Sequence, residues 1–204
     1  MNEDRATVRR GAFVATTEPW FGQIYRLRHR RFVVEQGKSY PGVSPDGTLV
    51  DAEDQRSRQI AYCEGGRLVA ALRQTALQDV SPEGYLADLA VSARLLCAPE
   101  TIVCSRFVTD EGGRSLRAVI ALFRLAYQIG LDLNVRHSVL STREELVSLF
   151  GTFGYRQTGG SFEHPVAGTQ IIMLLDLFDT DHLNRIGSPL ARVASRKIAG
   201  EVLS

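Results

Sequence analysis

The chain has 204 residues, of which 44% are hydrophobic and 23% charged, and its formal net charge at pH 7 is +1. This length and composition are typical of one globular domain with a substantial apolar core. The near-neutral charge gives no indication of binding to nucleic acid or to an anionic membrane. The N-terminus is polar, without the apolar segment of a signal peptide, and no apolar run reaches the roughly 18 residues of a membrane span. We therefore expect a cytoplasmic protein.

The cysteines and histidines show no pattern of a metal site. The three cysteines are Cys63, Cys97 and Cys104, and no two of them have CxxC spacing. The four histidines are scattered along the chain. An odd number of widely spaced cysteines is typical of a reducing compartment. Because neither the cysteines nor the histidines are clustered, we expect no metal site.

The N-terminal half predicts a helix, a long loop and a hairpin. Pro19 suits the first turn of a helix, and two adjacent stripes of apolar and arginine side chains continue to about Gly37. The segment Ser39–Gly47 is rich in proline and glycine, which is typical of a loop. Two apolar runs within Arg58–Thr75 flank the pair Gly65–Gly66, which predicts a tight β-hairpin.

The C-terminal half alternates strands and helices. We predict a strand at Ile102–Val108, a helix at Leu116–Ile129 with Gly130 as its C-cap, and a strand at Asn134–Leu140. There follow a helix from a capping box of Ser141 and Glu144 to about Phe150, a strand opening at Gly154, a buried strand at Thr169–Leu177 and a helical tail. Residues Gln78–Leu96 are ambiguous and are compatible with a short helix.

This order of elements predicts an α/β fold, in which helices flank a mixed central sheet in a single domain. We expect the domain to span residues 1–204, with its core at about residues 14–178 and a C-terminal helical tail at residues 179–204. The sequence has neither the GxGxxG motif of a dinucleotide-binding fold nor the phosphate-binding motif of a P-loop.

Arg106 stands in the middle of the apolar strand Ile102–Val108. On a regular strand it shares one face with Cys104 and Val108. An arginine in such a position needs a partner, because an unpaired buried charge is costly.

The carboxylates of Asp51 and Asp54 are natural partners for this arginine. We predict that these two aspartates form one charged network with Arg28, Arg73 and Arg106. The network is a structural salt-bridge cluster, part of a functional site, or both at once.

A turn containing Gly112, Gly113, Arg114 and Ser115 separates the same strand from the next helix. Glycines allow a close approach of the backbone to a ligand, and a helix N-terminus favours an anion. Arg114 adds a donor for a charge-assisted hydrogen bond. The turn is a candidate phosphate site, and the alternative is an ordinary glycine turn with a serine cap.

The order of elements resembles the GNAT acyltransferase fold, in which a central strand runs into such a turn at a helix N-terminus. Val103–Ile129 matches that arrangement, and Leu149–Arg156 resembles the family's later helix ending in Gly-aromatic. The resemblance implies that the turn holds the phosphate of an acyl-phosphopantetheine donor. The residues implied in donor binding are Val108, Gly112, Gly113, Arg114 and Ser115.

The sequence also resembles a narrower group, the autoinducer (acyl-homoserine lactone) synthases, and it resembles more closely their relatives, the long-chain N-acyl amino acid synthases. These enzymes have Arg-x-x-x-Phe, Asp-x-x-Asp, a hairpin arginine and Ser-Arg-Phe, in that order. The similarity covers about Tyr25–Leu177. The matching residues are Arg28 and Phe32, Asp51 and Asp54, Arg73, and Ser105, Arg106 and Phe107.

The resemblance implies distinct roles for these residues. It implies that Arg28, Phe32, Arg73, Ser105 and Phe107 bind substrate. The expected catalytic residues are Asp51, Asp54, Arg106 and Glu35, since a carboxylate accepts a proton directly or through one water. Cys104 is a weak candidate nucleophile, because apolar buried cysteines are usually inert.

Two positions depart from the autoinducer synthases. Their tryptophan after the first helix would fall at Lys38, and their glutamate before Ser-Arg would fall at Val103. We therefore expect an N-acyltransferase that moves a fatty acyl group from acyl carrier protein or coenzyme A to an amino acid or similar small amine. The alternatives are a true autoinducer synthase and a non-catalytic GNAT-like module that binds an acyl carrier or lipid.

An acidic carrier protein would need a basic surface. The resemblance to the N-acyl amino acid synthases favours acyl carrier protein as the partner. Two groups of side chains could supply that surface: Arg26, His29, Arg30 and Arg31, and Arg114, Arg117 and Arg124.

Overall fold

The computed structural model describes residues 10–80, 98–110 and 116–198. Within these residues, seven strands form one sheet: β1 (Gly11–Ala15), β4 (Arg58–Glu64), β5 (Arg67–Ala76), β6 (Thr101–Thr109), β7 (His137–Thr142), β8 (Arg156–His164) and β9 (Gly168–Asp176). Their order in the sheet is β1-β4-β5-β6-β7-β9-β8. All neighbouring strands are antiparallel except β6 and β7, which are parallel.

Helices lie on both faces of this sheet, which confirms the predicted α/β fold. They are α1 (Glu18–Arg28), α2 (Leu116–Asp132), α3 (Val147–Thr152), α4 (Thr180–Arg185) and α5 (Ala191–Ile198). Along β4, Ile60 and Tyr62 pack in the cluster of α2, whereas Ala61 and Cys63 pack in the cluster of α1. Among the described residues, no helix combines the length and apolar character needed to cross a membrane.

The N-terminal region follows the prediction with two additions. The helix predicted from Pro19 begins at Glu18 and continues after α1 as a π-helical segment, His29–Val34. Strand β1 was not predicted, and it pairs with β4 at the edge of the sheet. The predicted loop contains part of a small ribbon, β2 (Val43–Ser44) and β3 (Thr48–Leu49).

The hairpin of β4 and β5 confirms the prediction from the glycine pair. Gly65 has φ +59° and Gly66 has φ +78°, as the two central residues of a type I′ turn require. This hairpin carries Arg73 to the middle of the sheet, where it pairs with Ser105 on β6.

The central strands β6 and β7 separate after a short stretch of pairing. Their register runs from Thr101 with His137 to Cys104 with Leu140, while β6 itself continues to Thr109. The edge of β6 beyond Cys104 is therefore open on the side of β7. This opening between two parallel strands positions the candidate site.

Arg106 forms a bulge in β6. Its φ is +53°, and the register with β5 shifts between Ala71 and Arg73. A bulge breaks the alternation of side chains, so Phe107 packs toward α2 with Cys104, whereas Val108 packs toward α1. The prediction that Cys104, Arg106 and Val108 share one face was therefore wrong.

Helix α2 covers the core but does not end where predicted. Gly130 lies inside the helix, and an added Cβ would come within 2.4 Å of Leu177 Cδ2. The glycine is therefore a close-packing position rather than a C-cap. The left-handed residue after the helix is Asn134, with φ +55°.

The capping box predicted at Ser141 was also wrong. Ser141 belongs to β7. A short 3₁₀ turn, Glu144–Leu146, precedes α3, and the N-cap residue of this turn is Arg143, whose side chain makes no capping hydrogen bond. The tail residues Leu183, Leu190 and Ala194 are buried in the main core, so the described part of the tail packs on the domain.

Several predictions fall outside the described residues. They include Cys97, most of the ambiguous segment Gln78–Leu96, and residues 111–115 with the candidate phosphate turn. Domain boundaries at residues 1 and 204 stay predictions.

Candidate active site

A buried network of charged side chains joins α1 to the hairpin. Arg28 donates through Nη1 to Asp54 Oδ1 at 2.8 Å and through Nη2 to Gln59 Oε1 at 2.5 Å. Gln59 donates to the same oxygen of Asp54 at 2.9 Å, and Arg73 Nη1 lies 3.3 Å from it. The side chains of Arg28, Arg73 and Asp54 are at most 1% exposed, so protein groups rather than water compensate these charges.

Asp51 connects this network to the bulge on the central strand. Its Oδ1 accepts from Arg73 Nη1, and its Oδ2 accepts from Arg106 Nε at 2.9 Å and Nη2 at 2.7 Å. Arg73 Nε also donates to Ser105 Oγ at 2.9 Å. The predicted contacts among the five charged residues are thus confirmed, whereas their catalytic role stays a prediction.

The spacing of the two aspartates has a local structural reason. Asp51 caps the 3₁₀ helix Ala52–Arg56, and Asp54 accepts the backbone N–H of Asp51 at 3.0 Å. This reciprocal cap fixes both carboxylates on one turn. As a result Asp54 contacts Arg28 while Asp51 contacts Arg106.

The environment of Asp51 favours its ionised form. Burial opposes ionisation, but the positive charges of Arg73 and Arg106 outweigh it and lower the pKa of the Asp51 carboxyl. A carboxylate with a lowered pKa is a weak proton acceptor at neutral pH. Asp51 is therefore better suited to holding the two arginines than to deprotonating an amine.

A cavity of about 400 Å³ occupies the opening between β6 and β7. Residues 104–109 of β6 and residues 140–143 at the end of β7 form its central walls. Arg106 and Ser105, both of which contact the charged network, are among them. The network therefore reaches the cavity through the bulge.

One part of the cavity wall is aromatic and apolar. Phe107 lies 5.6 Å from Phe123 and 6.0 Å from Phe150 between ring centroids, and all three line the cavity. Leu72 and Leu140 line it beside them and belong to the main core. Such a wall suits an alkyl chain, because burial of its methylene groups is favourable.

The segment after the π-helix supplies the other part of the wall. Tyr40 lies beneath Arg106, whose guanidinium carbon is 5.0 Å from the ring centroid. Tyr40 also contacts the rings of Phe32 and His164, each at 6.0 Å. His164 Nδ1 accepts the backbone N–H groups of Val166 and Ala167 at 3.0 Å, so in the neutral ring the proton is on Nε2.

The remaining predicted site residues lie in different places. Phe32 and Val108 line the cavity. Glu35 forms an ion pair with Arg31, which lines the cavity, but Glu35 is not itself among the wall residues, so a proton relay from Glu35 stays a prediction. Burial raises the pKa of the Cys104 thiol, which argues against a thiolate nucleophile.

Sequence reasoning missed several residues of the cavity wall, among them Tyr40, His164 and Arg143. Tyr40 and His164 carry no motif, because β8 and the long loop meet only in the folded chain. Arg143 was assigned to a helix start, and it lines the cavity from the end of β7. No cluster of potential metal ligands occurs within the described residues.

A mixed sheet with helices on both faces and a site at an open parallel pair defines a GNAT-like acyltransferase fold. A putative N-acetyltransferase from Lactobacillus plantarum is similar, with a TM-score of 0.58, 17% identity, and coverage of 81% of this chain and 97% of that one. The profile of the N-acyl amino acid synthase FeeM family matches residues 23–177. The chain therefore belongs to that family and is an acyltransferase.

Two further solved structures have a similar fold. FeeM, an N-acyl amino acid synthase from uncultured soil microbes, has a TM-score of 0.66 and 14% identity over 91% of this chain and 98% of that one. The CoA-dependent acyl-homoserine lactone synthase BjaI, solved with SAM and isopentyl-CoA, has a TM-score of 0.66 and 20% identity over 92% and 97%. No curated protein matches the sequence.

Proposed function

We propose that the protein transfers a fatty acyl group from a phosphopantetheine thioester to the amine of an amino acid or a similar small amine. The amine nitrogen attacks the thioester carbonyl, the C–N bond forms, the C–S bond breaks and the thiol leaves. The observation that carries the proposal is a charged network opening through Arg106 onto a cavity with an aromatic wall. Both reactants can be held together in such a space, which supplies much of the rate.

The aromatic wall is the proposed site of the acyl chain. Phe107, Phe123 and Phe150 contact one another on the cavity wall, and Phe123 and Phe150 belong to the main apolar core. A cavity of this type excludes water from the thioester carbonyl and so limits hydrolysis. We propose that Phe107 and Ser105, on either side of the bulge, position the reacting carbonyl.

Arg106 is the residue proposed to contact the reactants directly. Its guanidinium is held on one side by Asp51 and on the other by the ring of Tyr40. A donor fixed in this way stabilises developing negative charge without reorganisation. Asp51 and Asp54 are proposed as positioning residues, which fix Arg106, Arg73 and Arg28.

The donor is proposed to be an acyl carrier protein or coenzyme A. The glycine turn at residues 112–115 is proposed to receive its phosphate, together with Val108 at the end of the cavity. For a carrier protein, exposed arginines of α1, the π-helical segment and α2 are proposed to supply a basic surface. These are Arg26, Arg30, Arg117 and Arg124.

The second candidate is an acyl-homoserine lactone synthase, which the similarity to BjaI favours. Val103 weighs against it, because this side chain is fully buried among Val139 and Ile172. A glutamate at that position has no room for a hydrated carboxylate. The glutamate of the autoinducer synthases therefore has no equivalent in this core.

One experiment separates the candidates. The protein is incubated with acyl carrier protein loaded with acyl chains of several lengths, and separately with acyl coenzymes A. Each donor is tested against a panel of amino acids, simple amines and SAM, with mass spectrometry of the products. An N-acyl amino acid is the expected product, a lactone would establish the second candidate, and no transfer with any pair would refute both.

A further inference from the structure

Lys38 occupies an unusual position for a cation. It lines the cavity and is half-buried. Within the described part of the chain, its ammonium group forms no hydrogen bond or ion pair. Burial and the positive charge of nearby Arg143 both lower the pKa of Lys38, while Glu145 acts weakly in the opposite sense. An anion bound beside Lys38 would act in the opposite direction and stabilise the ammonium form.

The other cations of the cavity wall have carboxylate partners. Arg106 is paired with Asp51, and Arg31 is paired with Glu35. Arg143 lies 3.5 Å from Glu145, so this single carboxylate faces both Arg143 and the lysine. Among these described groups of the cavity wall, four cations face three carboxylates, so one positive charge is left over.

We propose that Lys38, assisted by Arg143, binds the α-carboxylate of the acceptor and so makes the enzyme select amino acids over amines that lack this group. This inference rests on the proposed function and specifies its acceptor site. The carboxylate supplies the missing anionic partner, and a charge-assisted hydrogen bond forms in a partly desolvated place. The acceptor amine, one carbon away, is then directed toward the bulge at Arg106.

Lys38 and Tyr40 are two residues apart, and both line the cavity while Ser39 between them is exposed. The lysine is therefore held on the same segment as the ring that supports Arg106. This links the carboxylate site to the proposed reacting centre through one short piece of backbone. A carboxylate bound at Lys38 would consequently lie in the same cavity as Arg106.

The test compares an amino acid with its own carboxamide, which has the same side chain and amine but no carboxylate. Steady-state kinetics are measured on the wild type, Lys38→Met, Lys38→Arg and the double variant Lys38→Met/Arg143→Gln. The expected result is a preference of the wild type for the acid of about 10- to 100-fold in KM. Lys38→Met should lose most of that preference with little change in kcat, and Lys38→Arg should keep much of it.

Arg136→Gln is the matched control. Arg136 is exposed at the other end of β7 and pairs with Asp176, so its removal should leave the acid-to-amide ratio unchanged. A thermal unfolding curve is measured for every variant to check that the variant is folded. Binding of the free amino acid and its amide, measured by calorimetry, gives a second readout that does not depend on turnover.

The outcomes distinguish this inference from the proposed function. Equal use of acid and amide by the wild type would overturn the carboxylate site while leaving acyl transfer intact. A loss of kcat on both acceptors in Lys38→Met, with the KM ratio unchanged, would also overturn it, because it would assign the lysine to chemistry. If no acceptor is acylated, the proposed function fails, and equal binding of acid and amide would then reject the carboxylate site separately.

Discussion

Replacement of Arg106 tests both the bulge and the function of the charged network. Arg106→Ala removes two hydrogen bonds to Asp51 Oδ2, at 2.9 and 2.7 Å, and a contact with the Tyr40 ring at 5.0 Å. Asp51 keeps Arg73 as a partner, so its carboxylate is not left buried and alone. We therefore expect a loss of about 1.5–3 kcal/mol in the free energy of unfolding, rather than the larger cost of an orphaned charge.

Arg106→Gly is the informative companion, since the backbone at this position has φ +53°. Both arginine and alanine are strained in this left-handed region, whereas glycine is not. The glycine variant should be more stable than the alanine variant by about 1 kcal/mol, although both lose the same ion pair. Urea unfolding followed by circular dichroism measures the difference, with Arg136→Ala as an exposed control that changes stability by about 0.5 kcal/mol or less.

The activity of these variants then decides the role of the network. If Arg106 stabilises charge in the transition state, both variants should remain folded and lose about 100-fold or more in kcat. Arg106→Lys should recover only part of the activity, because an ammonium cannot reproduce the fork geometry of the guanidinium. Wild-type turnover in a folded Arg106→Ala protein would refute the functional assignment, and equal stability of the alanine and glycine variants would refute the bulge.

Three other substitutions test the core and the charge balance. Val103→Glu should cost about 3–5 kcal/mol, because Val103 is fully buried and an added carboxylate has no partner there; Val103→Leu is the apolar control in the same unfolding assay. Gly130→Ala should lower the free energy of unfolding by about 1–3 kcal/mol, because the added Cβ would come within 2.4 Å of Leu177 Cδ2. Gly151→Ala is the control: its Cβ would meet no atom within 4 Å, so the free energy of unfolding should stay the same or rise by up to about 1 kcal/mol. The lowered pKa of the Asp51 carboxyl stabilises the folded state at pH values above the ordinary pKa of 3.8, and this stabilisation is lost as the pH falls through the lowered pKa. Asp51→Asn should therefore flatten the acid side of a curve of unfolding free energy against pH. An unchanged slope would contradict the ionised state assigned to Asp51.

The long, strongly patterned elements were predictable from the sequence, because each depends on local chemistry. The hairpin around Gly65–Gly66 and the amphipathic helix after the central strand show their periods directly. Strand β1 has five residues and an edge position, so it carries too short a pattern to recognise. Gly130 resembles a helix end in sequence, and only the packing of Leu177 against it shows that it lies inside the helix.

The charged network was predictable as a set of partners but not as a shape. Asp51 and Asp54 are three residues apart, and the structure shows that they form a reciprocal cap, which was not predicted. The bulge at Arg106 depends on the register between β5 and β6, which no local pattern records. For the same reason Tyr40 and His164, which lie 124 positions apart in the chain but 6.0 Å apart between ring centroids, could not be assigned to the site.

The charge count of the network argues that it does more than hold the fold together. Three arginines face two aspartates, and three of the five side chains are almost completely buried. A well-packed apolar cluster would stabilise such a region at least as well, because desolvation offsets much of the attraction within a buried ion pair. A purely structural cluster also has no need to end in a guanidinium that lines a cavity, held between Asp51 and Tyr40 on a strained residue. Arg106 has a strained backbone and belongs to a network with one more positive than negative charge. It lines the cavity in which the proposed acyl transfer develops negative charge, and backbone strain of this kind is typical of functional sites.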